Sequence, residues 1–186
     1  MSLLSLIKAI DNITGAMKQI DTDHAYIHQG IFYSYSEQNT ITTGTSRFIA
    51  FTTPDGTYDI HYRPSLVASS VDKLSIKLYE GSVVSGGSNA LTSVRNHNRE
   101  SSNTSKLQTL ATGVTHSTPG TLLFTDFIPG GTGVGQARSG DATGQENEWV
   151  LEHNTVYVVE LANGSANDAI VNIIMNWYEE DEFDYS

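Results

Sequence analysis

In Lys73-Leu74-Ser75-Ile76-Lys77-Leu78-Tyr79 every second side chain is apolar, the two-residue period of a strand with one face in a core and the other in water. From about residue 24 onward similar segments recur, rich in β-branched and aromatic residues and broken by Gly, Asn, Ser and Thr. The pattern predicts strands over 25–34, 40–43, 47–52, 58–62, 65–68, 73–79, 121–128, 148–151, 155–162 and 169–179. Turn chemistry separates them at Pro54-Asp55-Gly56, Gly86-Gly87-Ser88-Asn89, Pro129-Gly130-Gly131 and Asn163-Gly164-Ser165. About ten short strands at this spacing predict an all-β fold, an antiparallel β-sandwich of jelly-roll or Greek-key type. The stretch 94–118 is the least strand-like, and loops of that length are usually functional or disordered.

Ahead of the strands, Leu3, Leu4, Ile7, Ile10, Ile13, Met17 and Ile20 fall along one helical face. Asn12, Thr14 and Gly15 disfavour a helix interior, so the expectation is a short N-terminal arm, helical or extended. The organisation read from the sequence is an arm over 1–23, a sandwich over 24–178 and an acidic tail over 179–186. A chain of 186 residues fits one domain, and without cysteine it relies on packing or partners and suits a reducing cytoplasm. Ten basic against 21 acidic residues give a net charge of −11, which disfavours nucleic acid and anionic lipid. Five of the acids fall in the last eight residues, a solvated end or a contact for a basic surface. No apolar run is long enough for a membrane helix, and Lys8 and Asp11 argue against a secretory leader.

Residue groups that resemble chemistry lack completing partners. His24 and His28 would lie roughly 13 Å apart on the expected strand, too far to share an ion, so no metal or other cofactor is expected. With Tyr26 they read as residues of a sheet rim or an interface. The glycines at 130–136 fit neither a phosphate loop nor the dinucleotide fingerprint. His61, His97, His116 and His153 accompany many serines and acids, but the nucleophile elbow is absent. Asp141, Glu146, Glu148 and Glu152 are explained by a solvated loop entering a strand as well as by glycoside hydrolysis. Trp149, Trp177 and nine tyrosines keep sugar binding as an alternative, although both tryptophans sit in core-like strands. The sequons at Asn12, Asn103 and Asn163 carry little weight in a chain so rich in Asn, Ser and Thr. The reading is a protein without enzymatic activity.

Several segments, in order, are similar to those of a family of small structural proteins from tailed bacteriophages. They are His24-Ala25-Tyr26-Ile27-His28-Gln29-Gly30-Ile31-Phe32-Tyr33, Leu78-Tyr79-Glu80-Gly81, Asn96-His97-Asn98-Arg99-Glu100-Ser101, Pro119-Gly120-Thr121-Leu122-Leu123, Glu148-Trp149-Val150-Leu151, Asn154-Thr155-Val156-Tyr157 and Asn176-Trp177-Tyr178-Glu179. The resemblance implies a β-sandwich virion protein, made in the host cytoplasm, that decorates or cements the capsid surface. Its implied partners are the major capsid protein and further copies of itself, as a dimer or trimer. A head-fibre, tail or receptor-binding module and a carbohydrate-binding sandwich are the alternatives. On this reading Leu3, Leu4, Ile7, Ile10 and Met17 lie against the shell or a sister subunit. Arg95, Asn96, Asn98 and Arg99 form a loop whose guanidinium groups clamp backbone carbonyls or carboxylates, either within the subunit or across an interface.

Overall fold

The computed structural model describes residues 22–69, 74–128, 138–140 and 148–181. The expected arm with Leu3, Leu4, Ile7, Ile10 and Met17, the 130–136 loop and the tail beyond Asp181 lie outside them. One helix, α1 (Thr22–Gln29), leads into β1 (Phe32–Ile41), β2 (Ser46–Thr52), β3 (Tyr58–Ser69) and β4 (Leu74–Glu80). The chain returns through β10 (Thr121–Ile128), β11 (Arg138–Gly140), β12 (Trp149–Leu151), β13 (Val156–Asn163) and β14 (Ala169–Asp181). Pairing is nested and antiparallel: β1 with β14, β2 with β13, β3 with β12 and β11, β4 with β10. The two halves thus form one long ribbon, and wrapping it also sets β14 beside β3 and β13 beside β4. Among the described residues this gives two six-stranded sheets, ordered β11-β3-β14-β1-β7 with β12 also on β3, and β10-β4-β13-β2-β8-β6, beside a two-stranded pair within the chain between β4 and β10. This is the jelly roll, one of the two sandwich types expected.

Alternation builds the core. Leu74, Ile76 and Leu78 of β4 with Tyr157, Val159 and Leu161 of β13 share one buried cluster with Val171, Ile173, Met175 and Trp177 of β14. Each such side chain contributes about 1.5–3 kcal/mol on burial, so this cluster outweighs any single polar contact. In β13, Val158 is also buried, because its outward face packs with Ala50 and Val114 in a second cluster. Trp177 is in the core, as expected, and Trp149 is partly buried against it.

Between β4 and β10 the chain makes an insertion: β5 (Val83–Ser85), β6 (Ser88–Asn89), a 3₁₀ turn (Leu91–Ser93), β7 (Arg95–Asn96), β8 (Thr109–Thr112) and β9 (Thr115–Thr118). The stretch read as least strand-like therefore contains three short strands and is irregular only between Asn96 and Thr109. β7 extends one sheet beside β1 and β8 extends the other beside β2, so the insertion crosses the edge of the sandwich. Ala90, Leu107 and Leu110 close the core there.

The expected strand at 40–43 falls at the end of β1, and three further boundaries differ from expectation. Pro64 does not split β3, which pairs with β14 along its whole length. On its other side β12 covers residues 60–62 and β11 residues 66–68, so the missing N–H of Pro64 falls in the gap between those ladders. At the carboxyl end, β14 runs through Glu179 and Glu180 to Asp181, with Glu179 only 3% exposed, so the acidic segment begins inside the sheet.

The expected strand at 25–34 is the third and largest correction, because its first half is the helix α1. Gly30 ends that helix at φ 71°, with its N–H donating to the Ile27 carbonyl and that of Ile31 to the Tyr26 carbonyl. An added Cβ on Gly30 would lie 2.7 Å from Ser101 Cβ, so glycine is required there both for its backbone angle and for the close approach of the insertion.

Candidate interface site

At the rim where α1 enters β1, residues far apart in sequence converge. Arg63 on β3 donates from Nη1 to Asp23 of α1 at 2.5 Å and from Nε to Glu148 Oε2 at 2.7 Å. Tyr178 of β14 donates its hydroxyl to Glu148 Oε1 at 2.5 Å, and His61 Nδ1 lies 2.9 Å from the same oxygen. The Tyr178 ring stacks with Tyr26 of α1 at 4.1 Å and with His61 at 4.2 Å; two parallel rings that close must occupy its opposite faces. His61 Nε2 is buried without a hydrogen bond and sits 3.5 Å from Glu180 Oε2. The cluster fixes α1 to the centre of one sheet through its first and second turns.

Burial alone would raise the Glu148 carboxyl, but hydrogen bonds from Tyr178, His61 and Arg63, with the Arg63 charge, pull it below its ordinary value. Burial and the bond to Glu148 push the Tyr178 hydroxyl far upward, so it stays a donor.

The other end of α1 is held by the insertion. The last carbonyls of a helix have no partner within it, and here side chains of the loop supply one. Asn96 Nδ2 donates to the Gly30 carbonyl at 2.8 Å, Asn103 Nδ2 to the same oxygen at 3.2 Å, and Asn98 Nδ2 to the His28 carbonyl at 3.2 Å. Asn96 and Asn98 also accept the N–H groups of Asn98 and Glu100, which rigidifies the turn. At its far end the loop is tied to β14: Ser105 Oγ and the Lys106 N–H donate to the Glu179 carboxylate at 2.6 and 2.9 Å, beside the Trp177 indole at 2.9 Å. Burial raises the Glu179 carboxyl despite these bonds.

Within the subunit the asparagines hold the carbonyls at the end of α1, and of the two arginines expected to clamp, Arg95 reaches backbone carbonyls. Arg95 Nη1 donates only to the local carbonyls of Thr92 and Val94, at 2.9 and 3.0 Å. The exposed Arg99 has no hydrogen bond or ion pair among the described residues. Both arginines line an open polar groove of about 610 Å³ with Asn96 and the hydroxyls of residues 101, 102, 104 and 105. His97 packs edge-on against Phe32 at 4.8 Å, and its partial burial lowers its proton affinity.

α1 also overturns the expected separation of His24 and His28, whose Nε2 atoms lie 2.9 Å apart on exposed residues. The rim thus unites His24, Tyr26, His28, Asn96 and Asn98, while Leu3, Leu4, Ile7, Ile10 and Met17 lie outside the described residues. Sequence reasoning missed Arg63, Glu148, Tyr178 and Glu179 as the supports of this surface. Asp23 at the start of α1, His28 at its end and Gly30 beyond it were the available helix signals.

Other groups read from the sequence stand elsewhere. Ser82 lies 3.2 Å from His116 Nε2, but its hydroxyl donates to the Pro119 carbonyl at 2.6 Å, and no carboxylate bonds His116 among the described residues. His153 pairs with Asp59 at 3.0 Å. Asn163 is 2% exposed with its amide donating to the Ile41 and Asn167 carbonyls, which leaves no room for a glycan on the folded chain. Comparison with protein-family models, curated proteins and solved structures found no match to this chain.

Two outcomes are expected. Asn96→Ala strips the Gly30 carbonyl of one donor and should destabilise the protein by about 1–3 kcal/mol, a fall of several degrees in melting temperature, whereas Arg99→Ala should stay within about 0.5 kcal/mol. For Glu148, a depressed folded value means that the unfolded chain binds the proton more readily, so its stabilisation is complete above the ordinary value of 4.5 and is lost as pH falls through the lower folded value. Melting curves of Glu148→Gln should therefore differ most from wild type above pH 4.5 and converge with it on further acidification.

Proposed function

We propose that this chain is a non-enzymatic virion protein that decorates or cements the capsid of a tailed bacteriophage by bridging major capsid protein subunits. The observation that carries the reading is the seating of α1. An anchoring segment transmits force only if the element after it is stiff, and here the apolar stripe of residues 3–20 leads directly into a helix held at both ends by the sandwich. The ordered resemblance to phage structural proteins supplies the biological setting, and the jelly roll is compatible with it without deciding it. Each copy would add modest buried area between shell subunits, multiplied by the symmetry of the shell and by self-association as a dimer or trimer.

The open groove beside Arg95 and Arg99 favours a second reading, a receptor-binding or carbohydrate-binding module. Among the described residues its one aromatic lining residue is Tyr33, at 2% exposure, which offers no free ring face for a sugar to stack on.

A chain lacking residues 1–20 should keep its β-type circular dichroism and fail to co-sediment with phage shells that bind the full chain. Co-sedimentation at undiminished occupancy contradicts the proposal.

A further inference from the structure

We infer that His24 and His28 form a bidentate site for a divalent transition-metal ion of the copper, nickel and zinc class. They stand one turn apart on α1 with their Nε2 atoms 2.9 Å apart and rings at 77°. Metal–imidazole bonds of about 2.0–2.1 Å place two ligands at a right angle about 2.9 Å apart, so an ion needs no movement of the helix. Without an ion the same distance is a hydrogen bond donated by the Nε2–H of one ring; to ligate, that ring carries its proton on Nδ1 instead, so that two neutral imidazoles present their Nε2 lone pairs and no net proton is released.

The backbone is set independently of any ion. Tyr26 stacks on Tyr178, Asp23 is held by Arg63, and the His28 carbonyl is held by Asn98, so the backbone that carries both imidazoles is pre-positioned and chelation has only the two side chains to order. The net charge of −11 favours a cation. Among the described residues no third His, Asp or Glu joins the pair. The site is therefore a chelate with open positions for water or for a donor from another chain, and its affinity should be micromolar, following the order copper above nickel and zinc.

The test is calorimetric titration of the full chain with Cu²⁺, Ni²⁺ and Zn²⁺, together with Cu²⁺ electron paramagnetic resonance. Binding of one ion per chain is expected, with two imidazole nitrogens in the copper spectrum. His24→Ala and His28→Ala should each weaken binding by about tenfold or more, while His153→Ala, at a site paired with Asp59, leaves it unchanged. Absence of binding at millimolar metal, equal affinity in both α1 variants and wild type, or a wild-type copper spectrum with one nitrogen overturns the site. The spectrum needs no variant, so a folding defect in either one does not obscure the answer.

Discussion

The ring of Tyr178, held between Tyr26 and His61, is the contact on which the rim of this protein depends. An isolated helix of eight residues is not stable in water, because nucleation costs more than so few hydrogen bonds return, so α1 exists through its docking. Aromatic pairs contribute about 0.5–1.5 kcal/mol each beyond the area they bury. Arg63 adds direction rather than bulk energy: an exposed ion pair would be worth little, but a mostly buried guanidinium shared by Asp23 and Glu148 is costly to leave unpaired. The stack therefore supplies the attraction, and the ion pairs fix the angle at which the helix sits.

The need to satisfy backbone groups also shapes the insertion. A wrapped ribbon leaves edge strands with unpaired backbone groups, and the 83–118 segment covers the β1 and β2 edges with short strands, two residues in β7 and four in β8. Having crossed the edge, the chain meets the end of α1, where the asparagines satisfy the helix carbonyls. Helix and loop are mutually dependent: each supplies the hydrogen-bond partners that the other lacks.

Where one physical signal dominated, the sequence was readable. The alternation in β4, the apolar run of β10 and the long apolar period of β14 left little choice, and β4 and β14 place eight side chains in the main buried cluster. Reading failed where tertiary contacts overrode composition. Tyr26 and Ile27 look like strand residues, and only Asp23 before them and Gly30 after them mark a helix. Pro64 looks like a break until one knows that a gap between two partner strands receives it. The candidate surface was half legible: His24, Tyr26, His28, Asn96 and Asn98 were named from the sequence, but not that Asn96 and Asn98 hold the carbonyls at the end of a helix. The supporting residues Arg63, Glu148, Tyr178 and Glu179 come from distant strands, and no local pattern announces such convergence.

The functional proposal places work at this rim, with the β1–β2 turn, tied to Asn163 and Asp168, at the far end of β1. A cryo-EM map of the native particle containing this chain separates the two ends directly. The proposal requires the jelly roll on the outer capsid surface with α1 and the 94–105 loop turned toward the shell protein or a sister copy. A map with the chain in the tail, or standing on the shell by the β1–β2 turn with α1 facing solvent, contradicts it.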